Sequence, residues 1–144
     1  MELRDPQALA RVRRLFAEAP FLRHIELELT DVGPGWAESR LAIRPYHTQN
    51  QGFVHAGVQG AVGDHTAGAA AGTLVAADQA VVAVEFKVNL LRPGLGETLR
   101  CRAEVVKAGR QLVVAEARLW TGAEGRDERL VATFMSTIAI VAAG

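Results

Sequence analysis

The feature that most constrains this chain is a long apolar helix with one acid in its middle. Within the segment Gln49–Ala77, the pattern from Val58 to Ala77 predicts a single helix of apolar and small residues. Its polar side chains are Gln59, Asp64, His65, Thr66 and Thr73. A helix that is apolar on nearly every face must be covered by other structure. A carboxylate under such cover is costly unless it is paired or used, so Asp64 is the first candidate for a functional group.

Length, charge and cysteine content restrict the class of protein. The 144 residues are predicted to form one domain, 1–144, around a single core. Sixteen basic and sixteen acidic side chains cancel and are scattered, which argues against a nucleic-acid or membrane partner. We expect no signal peptide, because Met1–Ala19 carries acids and bases throughout and lacks the apolar stretch that a signal peptide needs. We expect no membrane span, because no apolar run reaches roughly 20 residues. Cys101 is the one cysteine, which excludes an internal disulfide or a cysteine-based zinc site and favours a cytoplasmic location.

Alternation of apolar and polar residues predicts strands on both sides of the long helix. Helical spacing over residues 5–19 first predicts a short amphipathic helix with Asp5 as its N-cap. Two alternating runs joined by the Gly33-Pro34-Gly35 turn should pair as a hairpin. Short turns between the four runs after the long helix favour an antiparallel meander. In chain order, the predicted strands are 25–30, 37–44, 84–90, 99–105, 111–120 and 130–141, with the last turn at Gly122–Arg126.

The order of elements is therefore helix, two strands, long helix and four strands. The long connection holds the buried helix, which must lie across the concave face of a curved sheet. This arrangement is the α+β hot-dog fold, an antiparallel sheet wrapped around a central α-helix, here with a short N-terminal helix. Its exposed sheet edges favour dimerisation by edge pairing.

The residues His55-Ala56-Gly57 followed by Asp64 resemble the signature of hot-dog acyl-CoA thioesterases, in particular the PaaI-like (phenylacetate-degradation) group. That family's motif is a His-Gly-Gly that opens the central helix, with an Asp nine positions after the His. A Gly lies three positions before the His, and a polar residue, usually Asn, lies six before it. Gly52 and Gln49 occupy those two positions here, and the order of elements matches over essentially the whole chain.

Three positions depart from the family pattern. Ala56 stands in place of the first Gly, but its backbone N–H can serve the same chemistry if no positive φ is needed there. Gln49 replaces the usual Asn, and Asn50 beside it is an alternative amide. Ala83 stands where several relatives carry a Ser or Thr near the nucleophilic water.

The resemblance implies an acyl-CoA thioesterase that needs no metal and no other cofactor. Ala56, with help from Gly57, would polarise the thioester carbonyl at the positive end of the central helix. Asp64 would act as a general base or as a nucleophile. His55, together with Gln49 or Asn50, would orient the thioester and the water. Further substrate-binding candidates are Gly52 and Phe53 and, for the phosphates of CoA, Arg92, Lys107 and Arg110.

The spacing of His55 and Asp64 bears on the assembly. Nine residues of helix make two and a half turns, a rise of about 13 Å and a rotation of about half a turn. The two side chains therefore point in roughly opposite directions and can serve one site only from different subunits. This predicts a homodimer with composite sites, possible also as a tetramer of two dimers. Gly60 and Gly68, on either side of Asp64, leave room for a slender substrate or a close helix crossing.

The remaining candidates are predicted to be structural. His65, Thr66 and Cys101 should pack in the core or at an interface, and His24 and His47 should lie on the surface. The depth of the pocket should depend on Phe53, Val58 and Met135.

Two other functions stay open at this point. A hot-dog hydratase or dehydratase shares the fold but pairs its histidine and acid in another arrangement. A non-catalytic acyl-CoA sensor would carry a DNA-binding helix-turn-helix, for which the N-terminal extension is too short.

Overall fold

A computed structural model describes residues 1–123 and 126–144 of the chain. Its helices are α1 (Ala8–Glu18), α2 (Pro20–His24) and α3 (Ala56–Gly72), and a 3-10 turn covers Pro45–His47. Its strands are β1 (Glu28–Gly33), β2 (Trp36–Ala42), β3 (Gln79–Leu90), β4 (Thr98–Ala108), β5 (Leu112–Ala123) and β6 (Arg126–Ala142). Within these two ranges, no helix has the length and hydropathy needed to cross a membrane.

The strands of the described ranges form one antiparallel sheet of six, in the order β1-β2-β4-β5-β6-β3. α3 packs against every one of these strands. A Cβ added to Gly63 would lie 2.6 Å from the ring of Phe134, so only glycine lets the helix approach the sheet this closely. The curved sheet around α3 confirms the hot-dog fold, and the short N-terminal helix is present as α1.

The strand order corrects the predicted meander. β4, β5 and β6 are consecutive neighbours, but β3 pairs with β6 and β4 pairs with β2. The segment 91–97 makes no hairpin because it crosses the end of the sheet. It is fixed there by hydrogen bonds from Val54 N–H to the Gly94 carbonyl (3.0 Å) and from Ile43 N–H to the Glu97 carbonyl (2.8 Å). The crossing places β3 at an edge of the sheet.

The first helix begins later than predicted, at Ala8, and its N-cap is Gln7. Asp5 instead stabilises the preceding turn. Its carboxylate accepts a hydrogen bond from the Gln7 N–H (2.9 Å) and forms a salt bridge with Arg11. The helical pattern was recognised correctly, but the capping residue was not.

Two further boundaries differ from the predictions. α3 runs from Ala56 to Gly72 instead of from Val58 to Ala77, and the Thr73 hydroxyl ends it by bonding to the Ala70 carbonyl at 2.7 Å. β1 begins at Glu28, because α2 and a positive φ of 58° at Glu26 occupy the preceding residues. The predicted turn at Gly122–Arg126 includes residues 124 and 125, which lie outside the described ranges.

Candidate active site

One face of α3 is not covered by the sheet. The exposed or half-buried residues along it recur at helical spacing: Gly57, Val58, Ala61, Asp64, His65 and Gly68. We call these six residues the open stripe. It runs beside the inner face of β3, where a Cβ on the neighbouring Gly60 would lie 3.5 Å from the ring of Phe86. The sequence predicts that α3 is covered by other structure on nearly every face, but the open stripe is not covered. The reason is that β3 is an edge strand and no strand of the described sheet lies beyond it.

Asp64 lies in the middle of the open stripe and is half-buried. In the described part of the chain its carboxylate has neither a hydrogen-bond donor nor a salt-bridge partner. Burial raises the pKa of Asp64 above its ordinary value of 3.8, and the neighbouring His65 opposes this only in part. A carboxylate that is partly desolvated and unpaired keeps its lone pairs free for a proton or a substrate.

We expect Asp64→Asn to raise the melting temperature by a few degrees at neutral pH. A carboxyl whose pKa is raised by folding destabilises the folded chain once it is ionised. This penalty is absent at low pH, begins as pH rises through the ordinary value of 3.8, and is complete above the raised pKa. The effect is small because solvent still reaches the group. Thermal melts from pH 4 to 8 should show a gain that shrinks towards acid pH.

The matched control is Asp78→Asn, at an exposed aspartate in the loop after α3. It should leave the melting temperature unchanged across the same pH range. A loss of stability at pH 8 for Asp64→Asn would show that the Asp64 carboxylate is stabilised in the folded chain, contrary to its unpaired environment.

Asp64 and His55 line different cavities. Asp64 opens into a cavity of about 340 Å³ between α1, α3 and β3, which Ala83 also lines. Ala83, which stands where several relatives carry a Ser or Thr, therefore lines the same cavity as Asp64 and has no hydroxyl group to offer there. His55 lines a second cavity, of about 720 Å³, together with Phe21 and Tyr46. Within one chain the two groups do not meet, as their spacing on the helix predicts.

The first turn of α3 presents backbone N–H groups that the helix itself does not use. His55 is the N-cap, and its Nδ1 accepts a hydrogen bond from the Gly57 N–H at 2.8 Å. The Gly57 N–H is therefore bonded to the His55 ring, and the predicted help from Gly57 in polarising the carbonyl stays a prediction. The Ala56 N–H has no acceptor among the described residues. Ala56 also lacks the positive φ that would demand glycine, so alanine fits without strain.

The loop ahead of α3 uses several of the predicted site residues for its own structure. The side-chain oxygen of Gln49 accepts hydrogen bonds from the backbone N–H groups of Gln51 and Phe53. Gly52 has a φ of +83°, which explains a glycine there on conformational grounds. Asn50 is exposed and Phe53 is half-buried. A role in binding substrate stays a prediction for these four residues.

His47 was predicted to lie on the surface, and this is wrong. It is fully buried, and its Nδ1 accepts from the Arg44 N–H at 2.9 Å while Nε2 donates to the Ile25 carbonyl at 2.8 Å. Its own carbonyl accepts from the His55 N–H at 2.8 Å. His47 thus connects the segment after α2 to the start of α3. The available hint in the sequence was Pro45, which favours the first position of a helical turn.

The three basic candidates for CoA phosphates lie at opposite ends of the sheet. Arg92 follows β3 at the end where α3 begins, near the bond between Val54 and Gly94. Lys107 and Arg110 lie at the β4–β5 turn. Along β6 the two ends are separated by about nine residues at about 3.3 Å each, or about 30 Å. Within one chain they cannot contact the same phosphate, and of the three only Arg92 lies at the end of the sheet where α3 begins.

Three other predictions concern packing. Thr66 is buried, and its hydroxyl lies 2.6 Å from that of Ser39 and donates to the Val62 carbonyl. Cys101 is also fully buried, which confirms its place in the core. Met135, which was predicted to line the pocket, is 51% exposed on the outer face of β6 and lines neither of the two cavities.

Comparisons with known proteins agree with this geometry. The model of the thioesterase superfamily matches residues 51–127, which include the start of α3 and Asp64. A thioesterase family protein from Silicibacter pomeroyi is 38% identical over 94% of this chain and 99% of its own, with a TM-score of 0.90. A conserved protein from Pseudomonas aeruginosa is 28% identical over 85% of this chain and 94% of its own, with a TM-score of 0.77.

The PaaI protein of the E. coli phenylacetic acid degradation operon shares the fold. It is 18% identical over 94% of each chain, with a TM-score of 0.82. The comparison with curated proteins gives no significant match. The resemblance to hot-dog thioesterases inferred from the motif is therefore confirmed, while the roles of single residues stay predictions.

Proposed function

The chain belongs to the thioesterase superfamily, and from this premise we propose that it hydrolyses acyl-CoA to the free acid and CoA. The observation that carries this proposal is Asp64, a half-buried carboxylate that lines an apolar cavity and has no hydrogen-bond or salt-bridge partner among the described residues. Such a group is poised to take a proton from water or to attack a carbonyl carbon. An apolar cavity next to it suits the acyl part of a thioester.

The start of α3 supplies the second half of the proposed chemistry. The thioester oxygen would accept a hydrogen bond from the Ala56 N–H, where the helix dipole favours negative charge. Asp64 of the partner subunit would then remove a proton from water as the water oxygen bonds to the carbonyl carbon; the C–S bond breaks, the sulfur of CoA takes up a proton, and the acid is released. Alternatively, Asp64 would attack that carbon itself, the C–S bond would break with protonation of the sulfur of CoA, and water would then hydrolyse the resulting mixed anhydride to release the acid and free Asp64.

His55 has a defined protonation pattern for this role. Because Nδ1 accepts from the Gly57 N–H, the ring proton must sit on Nε2. We propose that Nε2–H helps to orient the substrate from the side of the second cavity. Gln49 or Asn50 would position the water, and Arg92 would contact a phosphate of CoA near the same end of α3.

The proposed partner is a second copy of the chain, joined through β3. This strand is twelve residues long, one of its edges is unpaired in the described chain, and four of its large apolar residues are exposed. The exposed fractions are 54% for Val82, 60% for Val84, 47% for Phe86 and 52% for Leu90. A long apolar edge strand favours pairing with another chain. The opposite edge, β1, is short, carries Glu28 and Asp31, and packs against α1.

We expect Val84→Lys to shift the protein from dimer to monomer and to remove most of its activity. A lysine on an edge strand opposes pairing because its charge would be buried between two strands. Size-exclusion chromatography with light scattering gives the mass, and release of free thiol from acyl-CoA gives the activity. The same mass measurement tests the predicted tetramer of two dimers.

The control for this variant is Val106→Lys. Val106 is 56% exposed and lies, like Val84, at a β-bulge, but on the inner strand β4. The Val106→Lys variant should therefore remain a dimer and keep its activity. An unchanged mass for Val84→Lys would show that subunits do not associate through β3.

The function itself is tested by a panel of short, medium, long and aryl acyl-CoAs, with free thiol as the readout. Hydrolysis of at least one of them by the wild type, and its loss in Asp64→Asn, is the expected result. Hydration of an enoyl-CoA without thiol release would instead indicate a hydratase. We place the protein in the cytoplasm on the ground that its one cysteine is unpaired.

A further inference from the structure

The cavity beside Asp64 extends far beyond the carboxylate. It continues between α1 and α3, past Gly68 to Gly72, where Val12 also lines it and lies 3.3 Å from the position of a Cβ added to Gly72. We propose that this cavity binds the acyl chain of the substrate, and that the enzyme is specific for unsubstituted aliphatic acyl groups of medium length. This proposal rests on the function proposed above and adds the substrate class.

The polarity of the lining favours an alkyl chain over any other part of the substrate. The polar side chains of the cavity are Asp64 and His65, which lie next to each other on α3, while all its other lining residues are apolar or glycine. The pantetheine arm of CoA carries two amides, which would lose hydrogen bonds to water and gain none there. A carboxylated or hydroxylated acyl chain would meet the same cost. An alkyl chain loses nothing and buries apolar surface.

The length of the cavity determines the length of the acyl chain that it can hold. Eight residues of α3 separate Asp64 from Gly72, which is a rise of about 12 Å. An extended alkyl chain with C–C bonds of about 1.5 Å advances about 1.25 Å per bond. A chain of about eight to ten carbons therefore reaches from the carbonyl beside Asp64 to Val12. Longer chains would have to displace Val12, which is buried in the core.

Gly68 keeps the middle of this cavity open. A Cβ added there would have no atom of the described residues within 4 Å, so a side chain at this position should enter the cavity without disturbing the fold. We expect Gly68→Leu to lower kcat/KM for decanoyl-CoA relative to butyryl-CoA by about tenfold or more, and Gly68→Ala to lower it by a few fold. Hydrolysis of butyryl-CoA should stay near the wild-type rate, because a short chain ends before Gly68.

The matched control is Gly60→Ala on the same helix. Its Cβ would make ordinary contact with Phe86 at 3.5 Å, and Gly60 does not line this cavity. In this variant, the ratio of kcat/KM for decanoyl-CoA to kcat/KM for butyryl-CoA should stay within about twofold of the wild-type ratio. If Gly68→Leu changed kcat/KM by the same factor for both substrates while the mass of its dimer stayed the same, the proposal would be overturned. A wild type that prefers butyryl-CoA would also overturn it.

A binding measurement separates the cavity from the reaction. Uncharged 1-octanol should raise the melting temperature of the wild type and of Gly60→Ala, and should raise that of Gly68→Leu much less. This protection without hydrolysis of any acyl-CoA would refute the proposed function but support the cavity as an alkyl-binding site. If 1-octanol raised the melting temperature of all three proteins equally, or of none of them, the cavity would not be the alkyl-binding site.

Discussion

We expect replacement of Asp64 by asparagine to lower the proposed turnover of acyl-CoA by about 10²–10⁴-fold. Asparagine keeps the size of the side chain but can neither accept a proton at neutral pH nor act as a carboxylate nucleophile. The residue is half-buried and forms no salt bridge within residues 1–123 and 126–144, so the fold should stay intact. Turnover is measured by thiol release under saturating substrate, and folding by circular dichroism and the melting temperature.

Asp78→Asn again serves as the control and should retain full turnover. Activity of Asp64→Asn within a few fold of wild type would remove Asp64 from the mechanism. Loss of activity together with loss of structure would contradict the environment described for this carboxylate, since the variant is expected to be at least as stable at neutral pH.

Mixing two inactive variants restores activity if the site is composite. Ala56→Pro lacks the proposed backbone donor and Asp64→Asn lacks the acid. In a heterodimer one site receives an intact helix start from one chain and an intact acid from the other, while the second site lacks both. An equilibrium mixture is half heterodimer, so recovery should approach about one quarter of the wild-type specific activity.

Proline is well tolerated at this position on structural grounds. His55 has φ −59° and ψ 138°, an extended conformation that a residue before proline readily adopts. Proline is also favoured in the first turn of a helix, and the Ala56 N–H has no partner in the described chain that proline would remove. Ala56→Gly retains the N–H and should be nearly as active as wild type.

Exchange of subunits has to be verified, for example by mass spectrometry of a tagged mixture. Verified heterodimers without recovered activity would place both groups in the site of one chain. An active, folded Ala56→Pro variant would show that the carbonyl donor lies elsewhere.

Local patterns in the sequence were sufficient to predict most of the architecture. The spacing of apolar residues identified α1, α3 and the strands, and the Gly33-Pro34-Gly35 turn identified the first hairpin, because these features depend on neighbouring residues only. The pairing of β3 with β6 could not be read in this way. It depends on where the segment 91–97 crosses, and that path is fixed by hydrogen bonds to distant residues such as Val54.

In the candidate site, too, local sequence patterns predicted some features, whereas others depend on contacts between distant residues. The positions of Asp64 and His55 on the helix followed from their spacing, including the fact that they do not meet within one chain. The burial of His47 did not, because its two ring nitrogens bond to backbone groups of Arg44 and Ile25, which no local pattern associates with it. The cavity next to Asp64 depends on how α1 packs on α3, and no local pattern in the sequence reports that packing.

The burial of Cys101 has a chemical consequence for this protein. Burial raises the pKa of its thiol to about 12, so at neutral pH almost none of it is the reactive thiolate. The chain should therefore resist alkylating reagents and mild oxidants without losing its structure. Reagents that develop colour with free thiols can then be present throughout a reaction, because the folded protein consumes none of them.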